Sequence, residues 1–152
     1  MTPAPTPLHQ NIIGNLYQTL RAFVESRKQG RVFLSPIDVK LTDIDVYQSD
    51  LIFIRKENVS KVSRDKLNVI PDLVVEVLSP SNAFYDLTHK KMICAERGVE
   101  EYWVVDPKDE TIEILVRDVD RYRAEAFLKK PASLTSTLFL GFTMKLDEVF
   151  AF

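Results

Sequence analysis

Glu76 stands inside Leu73-Val74-Val75-Glu76-Val77-Leu78, an apolar run bounded by Pro71 and Pro80. Val74, Val75 and Val77 are β-branched, so the run favours an extended strand. Alternation then puts Asp72, Val74, Glu76 and Leu78 on one face, and Glu76 projects among hydrocarbon. A carboxylate there needs a partner, because an isolated buried charge is too costly to keep. It is either a structural acid, paired with a basic side chain or set at a sheet rim, or a metal ligand. Asp72 shares its face, but four residues of strand separate the two by about 13 Å, too far to share an ion held at ~2.0 to 2.6 Å. Asp50 offers a closer partner. If Asp50 to Ile54 pairs antiparallel with Asp72 to Glu76, Asp50 falls opposite Glu76, with Cβ atoms about 4.5 to 5.5 Å apart. Two carboxylates at that distance need a shared proton or a cation, and a divalent metal is the economical answer. In the same register Asp72 falls opposite Ile54, where it would cap the loop.

Other reactive side chains carry weaker signals. Lys90 and Lys91 both lie on the borders of the buried stripe of a following helix, so either can reach toward the sheet or snorkel to water. Cys94 is the only cysteine, which excludes an internal disulfide and any multi-cysteine zinc site. It falls in a helical stripe and reads as core, so an enzyme pairing Cys94 with His9 or His89 is the least favoured chemistry. His9 and Asn11, at the start of the first helix, read as capping or surface groups, although a helix N-terminus facing a site can hold an anion.

The elements that must position these residues follow from periodicity. Apolar residues Ile12, Ile13, Leu16, Leu20, Phe23 and Val24 predict a helix from His9 to Lys28, closed by Gly30. Arg31 to Leu41 reads as a strand with an edge or bulge at Pro36, and Val46 to Ile54 as a second strand. Residues 55 to 70 form a loop or short helical excursion, in which Arg55, Lys56, Lys61, Arg64 and Lys66 outweigh Glu57 and Asp65 by three charges. This basic stretch adjoins the acids and can contact phosphate, although most such runs are solvated faces. Ser79 to Asn82 reads as a turn capping a helix from about Ala83 to Arg97, stopped by Gly98. Strands are expected at Glu101 to Asp106 and Thr111 to Arg117; Tyr122 to Leu128 and Ser136 to Leu146 add one or two more, and Leu146 to Phe152 is an apolar tail that docks on the body. Strands mixed with two helices indicate an α/β or α+β fold with a mixed sheet, of which α/β is the class expected here.

The chain has 152 residues, 45% hydrophobic and 28% charged, which suits one globular domain at 9–152 after a flexible segment at 1–8. No apolar run approaches the length of a membrane span and Met1 to Pro7 lacks the features of a signal peptide, so a cytoplasmic location without membrane association is expected. A net charge of -2 and a pI near 5.7 do not advertise nucleic-acid binding, so any such function must rest on local charge.

The stretches DLIFI (50–54), PDLVVEVLSPSN (71–82), DLTHKK (86–91) and RGVEEYWVVDP (97–107), with PAPTPLHQNIIGNL at the start, together resemble the Uma-two family of restriction endonuclease-like proteins, within the PD-(D/E)XK nuclease superfamily. The likeness runs from about Pro3 to Phe150. It implies a restriction-endonuclease-like core in which Asp50 and Glu76 bind Mg²⁺ (or Mn²⁺) as the two acids. It also implies a catalytic lysine. The superfamily usually places that lysine two residues after the second acid, where this chain has Leu78; the resemblance moves the role to Lys90 on the next helix. Asp72 is retained as an auxiliary candidate. Two departures stand out: Ser49 occupies the place of a proline, and relatives usually carry a further short strand and acids ahead of the PAPTP stretch. The implied activity is metal-dependent hydrolysis of DNA phosphodiester bonds, with DNA as partner and a homodimer left open. The competing expectation is a non-catalytic binding or regulatory module that keeps the nuclease fold, favoured by the acidic pI.

Overall fold

The computed structural model describes residues 5–80 and 84–152, without the side chains of 84–86. Chain order runs α1 (Pro7–Ser26), β1 (Gly30–Leu34), β2 (Asp38–Lys40), β3 (Val46–Gln48), β4 (Leu51–Arg55), α2 (Lys56–Val59), β5 (Leu73–Val77), α3 (Phe84–Arg97), β6 (Glu101–Asp106), β7 (Thr111–Asp118), β8 (Arg121–Lys129), β9 (Ser133–Leu134), β10 (Met144–Lys145) and α4 (Leu146–Val149). Six strands form one mixed sheet in the order β1-β4-β5-β6-β7-β8, and β5 and β6 are its parallel pair, joined by the α3 crossover. The α/β class and the mixed sheet flanked by helices are those the sequence predicts.

Each face of the sheet has its own cover. Leu51, Phe53, Leu73, Val75, Val77, Trp103 and Val105 pack beneath α1 and the C-terminal segment. Ile52, Ile54, Val74 and Tyr102 pack on the other side with Cys94 of α3, Val99, and Val39 and Leu41 from the β2–β3 region. Glu76 alternates with Val75 and Val77 and therefore belongs to this second face. Among the described residues no helix is long and apolar enough to cross a membrane.

Several expected elements are redrawn. The first helix begins at Pro7, because Thr6 Oγ1 accepts the His9 N–H at 3.1 Å and Pro7 suits the first turn. It ends before Gly30, which instead opens β1 where a Cβ would lie 2.1 Å from Ile54 O. The two long strands expected at 31–41 and 46–54 each break in two. They break opposite one another, at Ser35-Pro36 and Ser49-Asp50, and Ser35 N–H still donates to Asp50 O at 3.0 Å. Beyond this corner β2 and β3 leave the main sheet as a separate ribbon. The third helix runs Phe84–Arg97; the proposed cap at Ser81 and Asn82, and Ala83, lie outside the described residues.

Between β9 and β10, residues 135–143 make no strand. Phe139 and Phe142 are buried edge to face on Phe53 and Phe23, with ring centroids 4.7 and 5.4 Å apart, so aromatic packing fixes this segment in place of a ladder. The tail docks through buried Leu146, Val149 and Phe150, and Asn15 donates to Val149 O at 3.0 Å. Phe152 remains exposed.

Candidate active site

The corner at Ser49-Asp50 positions the first acid. Strands β4 and β5 pair antiparallel with Leu51 opposite Val75, Ile52 opposite Val74 and Phe53 opposite Leu73. Continued one step further, that register would set Asp50 against Glu76. Because the chain turns there, Asp50 leaves the ladder, and its Oδ2 accepts the Val77 N–H at 2.8 Å. A buried main-chain donor at the end of β5 is thereby satisfied by a side chain.

Glu76 is 5% exposed and Lys90 7%, and the Lys90 ammonium donates to Glu76 Oε1. Lys90 reaches across from α3, where it also lies 3.3 Å from Gln48 O and 5.5 Å from the centre of the Tyr47 ring. Helix packing thus separates the two lysines. Lys91, the next residue, borders a shallow groove with Thr88, Met92, Arg121 and Tyr122 on another side of α3.

Burial pushes the Glu76 carboxyl up from the usual range to about 7. The Lys90 charge opposes that shift and the Asp50 charge adds to it. Glu76 thus faces one cation and one like charge. Two buried hydroxyls, Ser49 Oγ and Tyr102 Oη, have no hydrogen-bond partner among the described residues. Ser49 Oγ approaches Glu76 without forming a well-shaped bond. Ser49 and Tyr102 therefore carry hydrogen-bonding capacity that the described side chains leave unused.

The donor set can be tested against a metal. Among the described residues no three His, Cys, Asp or Glu side chains come together as a cage. Two adjacent carboxylates are what remains, and Mg²⁺ or Mn²⁺ suits that set: such hard ions bind through one or two carboxylates and fill their other positions with water and phosphate oxygens. The donor types, two carboxylates, are those that such hard ions prefer, and they lack the His and Cys ligands of a zinc or iron site held wholly by protein.

Asp72 takes no part in the cluster. It sits at the far end of β5, where its carboxylate accepts the Arg55 N–H at 2.8 Å and pairs with Arg55 Nε at 2.9 Å, closing the loop between β4 and β5. The basic stretch starting at Arg55 is corrected likewise. Its first residue, Arg55, adjoins Asp72 and not the Asp50–Glu76 pair, because Arg55 ends β4 and Asp50 precedes it, roughly 16 Å away; Arg64 and Lys66 line a groove with Asp38, Lys40 and Val46 of the β2–β3 ribbon. Cys94 is buried, and burial pushes its thiol up to about 12. His89 lies 3.5 Å from Asp45 on the β2–β3 turn. Neither histidine makes Cys94 a nucleophile.

His9 is the residue that sequence reasoning missed. It is 6% exposed, and its Nε2 lies 2.9 Å from Val77 O and 3.6 Å from Asp50 Oδ2. The signal was present: His9 precedes Ile12, Ile13 and Leu16 by three, four and seven residues, and so heads the buried stripe of α1. Tyr47 and Gln48 also join the site. Their alternation gives no such hint, because they belong to the ribbon beyond the corner.

The model of the Uma2 family, described as "Putative restriction endonuclease", matches residues 1–147. A search of curated proteins finds no match. Among solved structures, the crystal structure of "a putative nuclease belonging to DUF820" from Anabaena variabilis superposes with a TM-score of 0.82, covering 99% of this chain and 84% of that one. At 16% sequence identity, that likeness is one of fold.

Proposed function

Because this chain belongs to the Uma2 family, we propose that it is a metal-dependent endonuclease that hydrolyses DNA phosphodiester bonds, with Asp50, Glu76 and Lys90 as its catalytic residues. The observation that carries this reading is the buried pairing of Glu76 with a lysine delivered from α3, next to Val77, whose N–H holds the Asp50 carboxylate. Asp50 and Glu76 would hold Mg²⁺ or Mn²⁺, which when bound supplies Lewis acidity and a more acidic water. Lys90 supplies a fixed positive charge in a site screened from bulk water, where it can orient an attacking water or offset charge growing on a phosphate oxygen. Its bond to Glu76 holds the ammonium in place beforehand. The Val77 N–H holds the Asp50 carboxylate.

The same ion pair supports a second reading. Lys90 and Glu76 already neutralise one another, and the chain carries a net charge of -2, as suits a non-catalytic binding module that keeps the fold. Cleavage of plasmid and linear DNA separates the two. The nuclease reading expects nicking or cutting with Mg²⁺ or Mn²⁺ that stops in chelator and is lost in Glu76→Gln. Cleavage that survives both changes, or its absence across varied DNA substrates together with absent metal binding, overturns that reading.

A further inference from the structure

We infer that His9 is a positioning residue that holds the Asp50 carboxylate beside Glu76, an assignment that rests on the metal-site reading above and extends it into the first turn of α1. A buried imidazole is costly unless its nitrogens are bonded, and the anchoring of α1 does not need one. Ile12, Ile13, Leu16, Leu20 and Val24 already bury the helix on the sheet. The ring instead reaches 68 residues along the chain to the end of β5.

Its Nε2 faces two acceptors, Val77 O at 2.9 Å and Asp50 Oδ2 at 3.6 Å, so this nitrogen carries a hydrogen whichever charge the ring bears. The other ring nitrogen lies 2.9 Å from the Gln10 side-chain oxygen. Val77 is held from both sides: its C=O accepts from His9, and its N–H donates to Asp50 Oδ2 at 2.8 Å. His9, Val77 and Asp50 thus form a closed clamp around the residue that follows Glu76. The helix start is fixed in turn, because Thr6 caps the His9 N–H and Pro7 sets the first turn. Such a clamp removes rotamer freedom from Asp50 before any ligand arrives, as supporting hydrogen bonds do in metal sites.

The test compares His9→Ala, His9→Gln and His9→Asn. A Gln amide nitrogen reaches about as far as imidazole Nε2, whereas Asn is shorter and Ala supplies no donor. Two signals are followed: the Val77 amide proton by NMR in metal-free protein, and Mn²⁺ affinity by calorimetry, with melting temperature as a check on folding. The clamp predicts that the Val77 amide moves in Ala and Asn and stays near its wild-type position in Gln. It also predicts Mn²⁺ affinity about 10-fold or more weaker in Ala and Asn and largely restored in Gln. A purely structural His9 would make Mn²⁺ affinity follow melting temperature, with Gln no better than Asn; that pattern, or an unmoved Val77 amide in His9→Ala, overturns the assignment. If wild-type protein binds no Mn²⁺ while the Val77 amide still follows the Gln and Ala pattern, the metal-site reading fails and the positioning of Asp50 by His9 stands.

Discussion

Glu76 and Glu101 stand on neighbouring parallel strands, near opposite ends and on opposite faces of the sheet, and each is almost wholly buried. Their surroundings differ in kind. Glu101 accepts from Trp103 Nε1 at 2.9 Å, Ser136 Oγ at 2.7 Å, Thr137 N at 2.8 Å and the Thr137 hydroxyl. Neutral donors fill its oxygens, and the bonds tie residues 136 and 137 to the start of β6. Glu76 faces a lysine, a second carboxylate and an under-bonded hydroxyl. Burial therefore does not mark a reactive acid. The company of its oxygens does: a saturated carboxylate locks a loop, and one held between opposing charges can exchange partners.

The contrast breaks most sharply at Lys90. Lys90→Met keeps much of the side-chain volume and removes the charge, so DNA cleavage should fall by roughly 10² to 10³-fold, while Mn²⁺ binding in calorimetry persists. Equal loss of both would make Lys90 a structural counter-ion only. Glu101→Ala should act in the opposite way. It strands the Trp103, Ser136 and Thr137 donors and should cost on the order of 3 kcal/mol in urea unfolding, with cleavage per folded molecule unchanged. A silent Glu101→Ala would show that aromatic packing alone holds the C-terminal segment.

A pH series sharpens the comparison further. The Glu76 carboxyl rises from 4.5 to about 7 on folding, so between these values the folded state holds a proton that the unfolded state has released. Metal-free stability is fully supported below about pH 4.5 and declines as pH rises through 7, by at most about 3 kcal/mol from this group. Denaturation of wild type and Glu76→Gln between pH 5 and 8 isolates that slope, which should be missing from the mutant. A like slope in Glu76→Gln would assign it to another group. The smallest effect belongs to Asp72→Asn. Its partner Arg55 is partly exposed, so about 1 kcal/mol of stability and no cleavage should be lost; a large fall in cleavage would return Asp72 to the site.

Much of this was legible from residue order because one register governs it. Alternation in Leu73 to Val77 fixes the face of Glu76, and antiparallel pairing with Leu51 to Phe53 carries Asp50 to the same end of β5, where it bonds Val77. The break at Ser49-Asp50 was hidden, since apolar residues continue on both sides of a corner where the chain changes pairing partner. The segment 135–143 misled for a similar reason: its aromatic spacing resembles a strand, but its backbone and hydroxyls answer to Glu101. Periodicity left Lys90 and Lys91 on the borders of the same stripe; the family resemblance selected Lys90, and the packing of α3 on the sheet turns it to Glu76. His9 carried the spacing of a buried residue; the pull of its position at a helix start outweighed that signal.

Calorimetric titration of Mn²⁺ into wild type, Glu101→Gln and Glu76→Gln tests the central claim most directly, since Gln nearly preserves shape while losing the charge that a hard cation requires. Wild type and Glu101→Gln should give the same saturating isotherm and Glu76→Gln none, with all three folded by circular dichroism. Binding by Glu76→Gln equal to that of wild type would contradict the account.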